Sequence, residues 1–261
     1  MKPYERILVA LDTPDIEVAT ELAKKLEGKV GGYKIGLEFI TAMLMQLIAE
    51  PRDIDALSKL DQFRRLFKLI GPRLFWDGKF HDIPNTVAGA VAAAAELGVW
   101  MLNVHCLGGQ EMMYAAIRAA DQAFARNSRR ALLIGVTVLT SHDLNSLEQV
   151  GIKADSVEEA ALKLAVLAAN SGLDGVVCSP KETAVIRKAV CDDGFVIINP
   201  GIRPLYATKK DDQARVTTPA QAIEAGADYL VIGRPITEAS EYGMTPREAV
   251  VRIVDEIAQV G

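Results

Sequence analysis

Eight short segments of this chain are almost continuously apolar, and longer segments with helical periodicity lie between them. The eight are predicted strands, and they begin at Ile7, Tyr33, Leu74, Met101, Ala131, Gly175, Phe195 and Tyr229. Runs without polar alternation are typical of parallel strands that are covered on both faces. Eight such strands in alternation with helix-like segments predict an α/β fold in which the sheet closes into a single (β/α)8 barrel, the TIM-barrel architecture.

The segments between the predicted strands favour helices. Ala and Leu are frequent there, and apolar residues recur every three or four positions over residues 16–26, 86–97, 111–125 and 157–169. Residues 51–73 are too long for a simple connection and repeat apolar residues at helical spacing, which predicts an extra helix inserted before the third strand. Because no Gly/Ser-rich linker or low-complexity tract divides the chain, residues 1–261 are expected to form one catalytic domain.

Polar residues concentrate at the carboxyl ends of the predicted strands. These residues are Asp12, Lys34, Asp77, Lys79, Thr140, Ser141, Gly201, Arg203, Gly233 and Arg234. The loops at this end of a (β/α)8 barrel carry the active site, so the concentration predicts a site there. For Asp12 an alternative remains open, since an aspartate just ahead of a helix is also a common N-cap or Asx turn.

The run DGKFHDIPNT, residues 77–86, is the most informative stretch of the chain. Side chains alternate along a strand, so Asp77 and Lys79 share one side and face one space. Asp82 follows where the chain leaves strand geometry, and it either extends this cluster or reaches a neighbouring subunit. Such charges require mutual compensation when they are buried. The alternative is a solvated loop with an incidental salt bridge, as in most short runs of mixed charge.

Two segments near the C-terminus favour an anion site. Gly233 and Arg234 end the eighth predicted strand, where a glycine lets backbone amides approach an anion and an arginine supplies a planar set of donors. The alternative to an anion site is that Arg234 only caps a surface loop.

Residues 203–216 are polar, free of glycine and long enough to fold over a ligand as a lid. Gln213 within them has the donors and the acceptor to bridge a phosphate and a ring amide, although most loop glutamines contact water.

Composition narrows the function classes. The chain has 261 residues, a formal net charge of −5 and no long Lys/Arg run, which argues against a nucleic-acid binder. No segment approaches the roughly 20 apolar residues that span a bilayer, and the N-terminus lacks a signal-peptide pattern, so a cytoplasmic protein without a membrane partner is expected. The three cysteines form no CxxC pair and the three histidines lack ligand spacing, so no metal site is expected.

Several motifs occur along the chain in a recognisable order. They are the strand end at Asp12, YKIG at Lys34, DGKFHDIPNT at residues 77–86, VTVLTS at Thr140, GVVCSPKE, PGIRP at Arg203, DDQAR at Gln213 and IGRPIT at Arg234. In these motifs, over nearly its full length, the chain resembles the orotidine 5′-phosphate decarboxylase family. The resemblance implies a carboxy-lyase that converts orotidine 5′-phosphate to uridine 5′-phosphate (UMP) and CO2, the last step of UMP synthesis de novo, without a metal or organic cofactor.

The resemblance also implies a role for each site residue. Lys79 would protonate C6 of the ring, Asp77 would lie beside the departing carboxylate, and Lys34 would link these charges. Asp82 would complete this catalytic group from the second subunit of a homodimer. The residues implied in substrate binding are Asp12 and Lys34 at the ribose, Ser141 at the pyrimidine edge, Thr140 in the adjacent loop, Arg203, Gln213, Gly233 and Arg234 at the phosphate, and Ile83, Thr86 and Pro200.

Two features depart from the family pattern. Gly78 stands where a larger apolar residue is expected between the aspartate and the lysine, which predicts a looser or bulged third strand. The 51–73 insertion is longer than usual and lies on the amino-terminal side of the barrel, so it is expected to alter packing or assembly more than chemistry.

Two other functions remain open: a Mg²⁺-dependent sugar-phosphate lyase or aldolase of the same superfamily, and a barrel that binds phosphometabolites without catalysis.

Overall fold

Eight parallel strands close into a barrel in the computed structural model, which describes residues 1–49, 53–127, 130–208 and 217–260. The strands are β1 (Ile7–Ala10), β2 (Gly32–Gly36), β3 (Leu74–Phe80), β4 (Met101–His105), β5 (Leu132–Val136), β6 (Gly175–Val177), β7 (Val196–Asn199) and β8 (Tyr229–Ile232). Each strand pairs with the next along the chain, and β8 pairs with β1 to complete the barrel. The predicted (β/α)8 barrel is therefore confirmed, with all eight predicted strands in place.

Helices surround the barrel and connect consecutive strands. The α-helices of the described residues are α1 (Ile16–Leu26), α2 (Leu37–Ala49), α3 (Asp53–Ile70), α4 (Pro84–Glu96), α5 (Gly109–Asn127), α6 (Leu144–Gln149), α7 (Val157–Asn170), α8 (Thr183–Ala189), α9 (Pro219–Glu224), α10 (Arg234–Thr237) and α11 (Pro246–Ile257). Four of them, α1, α4, α5 and α7, correspond to the predicted helices within about two residues at each end. In the part of the chain that the structure describes, no helix combines the length and the apolar composition needed to cross a bilayer.

The strands are apolar on both faces because each face packs against a different core. On β1, Val9 packs outward into the layer between strands and helices, whereas its neighbour Leu8 points into the barrel. The barrel interior is filled by Leu8, Ala10, Phe75, Met101, Ile134, Ile198 and Val231. The alternation of side chains along β3 then leads from Phe75 to Asp77, two residues nearer the carboxyl end. The charged part of the site therefore begins directly above the apolar interior of the barrel.

Strand β3 contains a bulge where Gly78 predicts one. Between Trp76 and Phe80 the chain takes four steps along β3, and the paired residues on β4 are only two steps apart. Lys79 within the bulge has a φ of 46°, a left-handed conformation that is uncommon for residues other than glycine. A β-carbon at Gly78 would lie 2.9 Å from the indole nitrogen of Trp76 and 3.0 Å from the ring of Phe80. These two rings leave no room for a larger residue at position 78 unless they shift.

The predicted extra helix of the 51–73 insertion is α3, while residues 51 and 52 lie outside the described part of the chain. Helix α3 packs against α1 and α2, and its Leu66 side chain is fully buried. The ring of Phe67 contacts the indole of Trp76 on β3, with centroids 6.3 Å apart. The insertion is therefore part of the helical layer and packs behind β3 just before the bulge.

The burial of α3 predicts a clear difference between two leucine substitutions in the same helix. Leu66→Ala removes a fully buried side chain and should destabilise the protein by about 2–5 kcal/mol. Leu57→Ala is the matched control, because Leu57 is 64% exposed and its loss should change stability by less than about 0.5 kcal/mol. Urea unfolding followed by circular dichroism measures both values. Equal effects would show that α3 does not pack as described.

Candidate active site

A cavity of about 600 Å³ opens at the carboxyl ends of the strands. Its floor is apolar, and its walls carry polar side chains from the strand ends and the loops that follow them. The predicted site residues that line it are Asp12, Lys34, Asp77, Lys79, Thr140, Ser141, Pro200, Gly201, Arg203, Gly233 and Arg234. Glu38 at the start of α2 and Glu238 just after α10 also line the cavity, although no motif in the sequence predicts this.

Four of the lining side chains form a continuous chain of alternating charge. The Lys34 ammonium contacts Asp12 Oδ1 at 2.8 Å and Asp77 Oδ2 at 3.2 Å. The Lys79 ammonium contacts the other oxygen of Asp77, Oδ1, at 2.7 Å. These residues come from β2, β3 and the end of β1, which are adjacent in the barrel. Two carboxylates thus alternate with two ammonium groups, and each charge has an opposite partner.

Burial and ion pairing act against each other on the pKa values of the central pair. Burial favours the neutral form of Lys34, but the Asp77 and Asp12 carboxylates outweigh this effect and raise the pKa of the lysine. Burial likewise favours the protonated form of Asp77, but the charges of Lys34 and Lys79 outweigh it and lower the pKa of the aspartate. Lys34 and Asp77 therefore both stay charged around neutral pH.

These contacts decide two alternatives that the sequence leaves open. The N-cap of α1 is Asp15, not Asp12, because the Asp15 side chain accepts hydrogen bonds from two backbone amides of the first turn. Asp12 instead binds Lys34 at the cavity. The side chain of Asp77 is also buried, so the run over residues 77–86 does not begin as a solvated loop.

The second half of that run lies outside the cavity. Asp82, Ile83 and Thr86 are exposed around the start of α4, and Ile83 is 66% exposed. The Asp82 carboxylate accepts a hydrogen bond from the backbone amide of Ile83 at 2.6 Å. Within a single chain, these three residues are therefore not brought together with the other predicted site residues.

The anion site predicted at the end of β8 opens onto the same cavity. Gly233 is the N-cap of the short helix α10, and Arg234 is its first residue. The Tyr206 hydroxyl, in the loop after β7, donates a hydrogen bond to the carbonyl of Pro235 at 2.9 Å. This bond holds the loops after β7 and β8 next to each other, where barrels commonly bind phosphate.

The predicted lid over residues 203–216 is described only at its two ends. Arg203 lines the cavity, and its backbone amide donates to the carbonyl of Thr217 at 3.0 Å. Residues 209–216, including Gln213, lie outside the described part of the chain. The lid and the role of Gln213 therefore stay predictions.

Asn103 is a polar residue of the site that the motifs do not identify. It lies inside β4, is fully buried, and its carboxamide contacts both Asp77 and the backbone of Lys79. One feature of the sequence could have identified it: Asn103 interrupts the largely apolar segment MLNVH, and a buried carboxamide needs hydrogen-bond partners.

His105 and Cys178 border the site as neutral groups. Burial, together with nearby His81 and Lys79, lowers the pKa of His105 to about 4. Burial raises the pKa of the Cys178 thiol at the cavity wall to about 12. Among the residues that the structure describes, no three His, Cys, Asp or Glu side chains are grouped so as to hold a metal ion.

The fold and the site together define the class of this protein. A (β/α)8 barrel with a charged cavity at the carboxyl ends of its strands has its polar groups where barrel enzymes bind and convert their substrates. The profile of the family described as "Orotidine 5'-phosphate decarboxylase / HUMPS family" matches residues 5–250. The chain therefore belongs to this family.

Individual relatives agree with that assignment. The chain is 46% identical to orotidine 5′-phosphate decarboxylase of Moorella thermoacetica, over 100% of this chain and 95% of the relative. It is 45% identical to the enzyme of the same name from Alcanivorax borkumensis, over 97% of each chain. The crystal structure of orotidine 5′-phosphate decarboxylase from Lactobacillus acidophilus matches with a TM-score of 0.75 and 31% identity, over 96% of this chain and 98% of that one. The resemblance seen in the motifs is thus confirmed along the whole chain.

Glu182 supports the loop that follows β6 at the cavity wall. The residue is 4% exposed, and its carboxylate accepts a hydrogen bond from the backbone amide of Ser179 at 2.9 Å. Burial raises the pKa of Glu182 from 4.5 to about 7. Folding therefore favours the protonated carboxyl at a pH where the unfolded chain has already lost that proton.

We expect the contribution of Glu182 to stability to fall as the pH rises from 4.5 to about 7. In that window the folded state binds one more proton than the unfolded state, so raising the pH favours unfolding. Glu182→Gln keeps an acceptor for the Ser179 amide but does not titrate. The difference in Tm between the variant and the wild type should move in favour of the variant across this window, and a constant difference would contradict the assignment.

Proposed function

We propose that this protein decarboxylates orotidine 5′-phosphate to UMP and CO2, the last step of UMP synthesis de novo, without a metal or organic cofactor. The observation that carries the proposal is the chain of ion pairs Lys34–Asp77–Lys79 at the cavity, in which Lys34 and Asp77 are buried and the Lys79 ammonium lies 2.7 Å from Asp77. The family assignment and the names of the relatives support the substrate.

The proposed chemistry requires a fixed cation beside the ring. When the bond between C6 and the carboxylate breaks, CO2 leaves and the electron pair stays on C6, where no π system can delocalise it. A preorganised charge next to that carbon stabilises the transition state. Lys79 supplies this charge as an ammonium, and it then transfers one proton to C6 and becomes a neutral amine. Solvent restores the proton before the next turnover.

Asp77 has two proposed functions in this step. It orients the Lys79 ammonium through the 2.7 Å contact, and it would lie beside the departing carboxylate of the substrate. A single preorganised donor contributes about 3–4 kcal/mol, whereas accelerations at the top of the enzymatic range require about 23 kcal/mol. Binding energy from the rest of the nucleotide must therefore contribute to assembling the charged cluster.

The remaining cavity residues are proposed to bind that nucleotide. Asp12 and Lys34 would hold the ribose hydroxyls, and Ser141, with the loop of Thr140, would contact the pyrimidine edge. The phosphate would bind between the loops after β7 and β8, where the proposed ligands are Arg203, Gln213, Gly233 and Arg234, and Pro200 would contact another part of the substrate. The cavity volume of about 600 Å³ lies within the usual range for small-molecule sites.

A second copy of the chain is proposed to complete the site. Asp82, Ile83 and Thr86 are exposed next to the cavity's charged strand, and Ile83 presents an apolar side chain to solvent. In a homodimer these residues would enter the partner's cavity, where Asp82 would add a carboxylate next to Lys79 of the other subunit. This arrangement accounts for a group of motif residues that the single chain leaves outside the site.

An assay with orotidine 5′-phosphate in the presence of EDTA tests the proposed function. We expect release of CO2 and UMP at the same rate with and without the chelator. Loss of activity that Mg²⁺ restores would instead support the sugar-phosphate lyase or aldolase. Binding of UMP without any turnover would support a barrel that binds phosphometabolites without catalysis.

Lys79→Met should remove turnover while leaving nucleotide binding. The substitution keeps an unbranched side chain but deletes the ammonium, so kcat should fall by at least about 10²-fold. The dissociation constant of UMP, measured by calorimetry, should change by less than about threefold, because UMP carries no charge at C6. Arg234→Ala is the contrasting variant and should weaken UMP binding by about tenfold or more, since it removes a charge-assisted contact to phosphate. Near-normal kcat in Lys79→Met would refute the catalytic assignment.

A further inference from the structure

We propose that Asn103 is a positioning residue of this reaction, whose carboxamide holds Asp77 and the backbone of Lys79 at once. The inference rests on the proposed function and goes beyond the residues that the motifs assign. Asn103 is a buried polar side chain with two hydrogen-bond partners, and both lie in the charged stretch of β3.

The contacts of Asn103 are short and directed. Its Oδ1 accepts a hydrogen bond from the backbone amide of Lys79 at 2.7 Å, and its Nδ2 donates to Asp77 Oδ1 at 2.7 Å. The residue is 0% exposed. A carboxamide is the neutral side chain that offers an acceptor and a donor a few ångströms apart, so these partners fix which end of the amide faces which group.

The bulge in β3 explains why the Lys79 amide needs a side-chain acceptor. Residues 77–79 have no partners in the register between β3 and β4, which breaks between Trp76 and Phe80. A buried backbone amide without an acceptor costs about 1–3 kcal/mol. Asn103 supplies the missing acceptor and thereby holds Lys79 in its left-handed conformation, with a φ of 46°.

The contact with Asp77 matters most during the chemical step. Asp77 Oδ1 accepts from both the Lys79 ammonium and the Asn103 amide, while Oδ2 contacts Lys34. When Lys79 transfers its proton to the substrate, its attraction for the carboxylate falls. Asn103 is a neutral donor whose bond does not depend on that proton. Asp77 therefore keeps its position through the step, and Lys79 returns to the same site when it is protonated again.

Asn103→Ala tests the positioning role by separating kcat from KM. Removing both bonds should lower kcat by about 10²-fold, the loss expected when a reacting group is misplaced by about 1 Å. KM and the dissociation constant of UMP should change by less than about threefold, because Asn103 does not line the cavity.

Asn199→Ala is the matched control. Asn199 is also a fully buried asparagine on a barrel strand, but its carboxamide bonds to the Thr183 hydroxyl and the Cys178 carbonyl instead of the charged cluster. Both variants should lose stability, and Asn199→Ala should retain kcat within about threefold. Equal losses of kcat in the two variants, or a loss in Asn103→Ala that appears only in KM, would overturn the inference.

Asn103→Asp provides a second test with nearly unchanged side-chain volume. The new carboxylate keeps an acceptor for the Lys79 amide but faces Asp77 with an oxygen, and two such carboxylates share one proton at low pH. At low pH the shared proton replaces the lost donor, and as the pH rises the proton leaves and the two charges repel. The ratio of variant to wild-type kcat should therefore fall with rising pH, whereas a purely structural defect would give a constant ratio.

The wild-type assay distinguishes a failure of the proposed decarboxylase function from a failure of the proposed role of Asn103. If the wild type does not release CO2 from orotidine 5′-phosphate, the proposed function fails and the role of Asn103 fails with it. If the wild type is active while Asn103→Ala retains its kcat and Asn103→Asp shows a constant ratio, only the role of Asn103 is overturned.

Discussion

Charges buried at the end of an apolar barrel must each have a partner, and Asp77 is where this constraint is met. One of its oxygens contacts Lys34, and the other contacts Lys79 and accepts a hydrogen bond from Asn103. Removing one partner of a buried ion pair leaves the other charge uncompensated, which is strongly destabilising. The same contacts therefore hold the fold together at this end and define one position for the Lys79 ammonium. A fixed cation is the property that a localised carbanion requires.

The irregular backbone of β3 belongs to this arrangement. Gly78 is the residue that fits between the rings of Trp76 and Phe80, and the bulge around it places Lys79 in a left-handed conformation. Trp76 in turn packs against Phe67 of the inserted helix α3. None of the insertion's described residues, 53–73, lines the cavity, yet helix α3 lies behind the strand that carries both Asp77 and Lys79. Its expected influence on packing rather than chemistry agrees with this position.

The fold was predictable because strands covered on both faces leave continuous apolar runs, as Leu8 and Val9 illustrate. The cavity residues at strand ends were predictable because the barrel brings those ends together. The contacts of Asn103 could not be predicted from the sequence, because its partners lie 24 and 26 residues away on a bulge whose geometry no local pattern specifies. Asp82, Ile83 and Thr86 differ again. Their motif predicts them at the site, but a single chain leaves them exposed, and their place in the site is part of the proposed homodimer.

The charge balance of the cluster indicates where the attraction for a phosphorylated substrate must come from. Two carboxylates and two ammonium groups have no net formal charge, so the cluster on the β1 to β3 side offers little attraction to an anion at a distance. In the proposed function, Arg203 and Arg234, on the β7 and β8 side, attract the phosphate. Strand β1 pairs with both β2 and β8, so the two sides share one cavity. In the proposed function, anchoring the phosphate on one side would place the ring against the charged cluster on the other, and binding energy gained far from C6 would contribute to the chemical step.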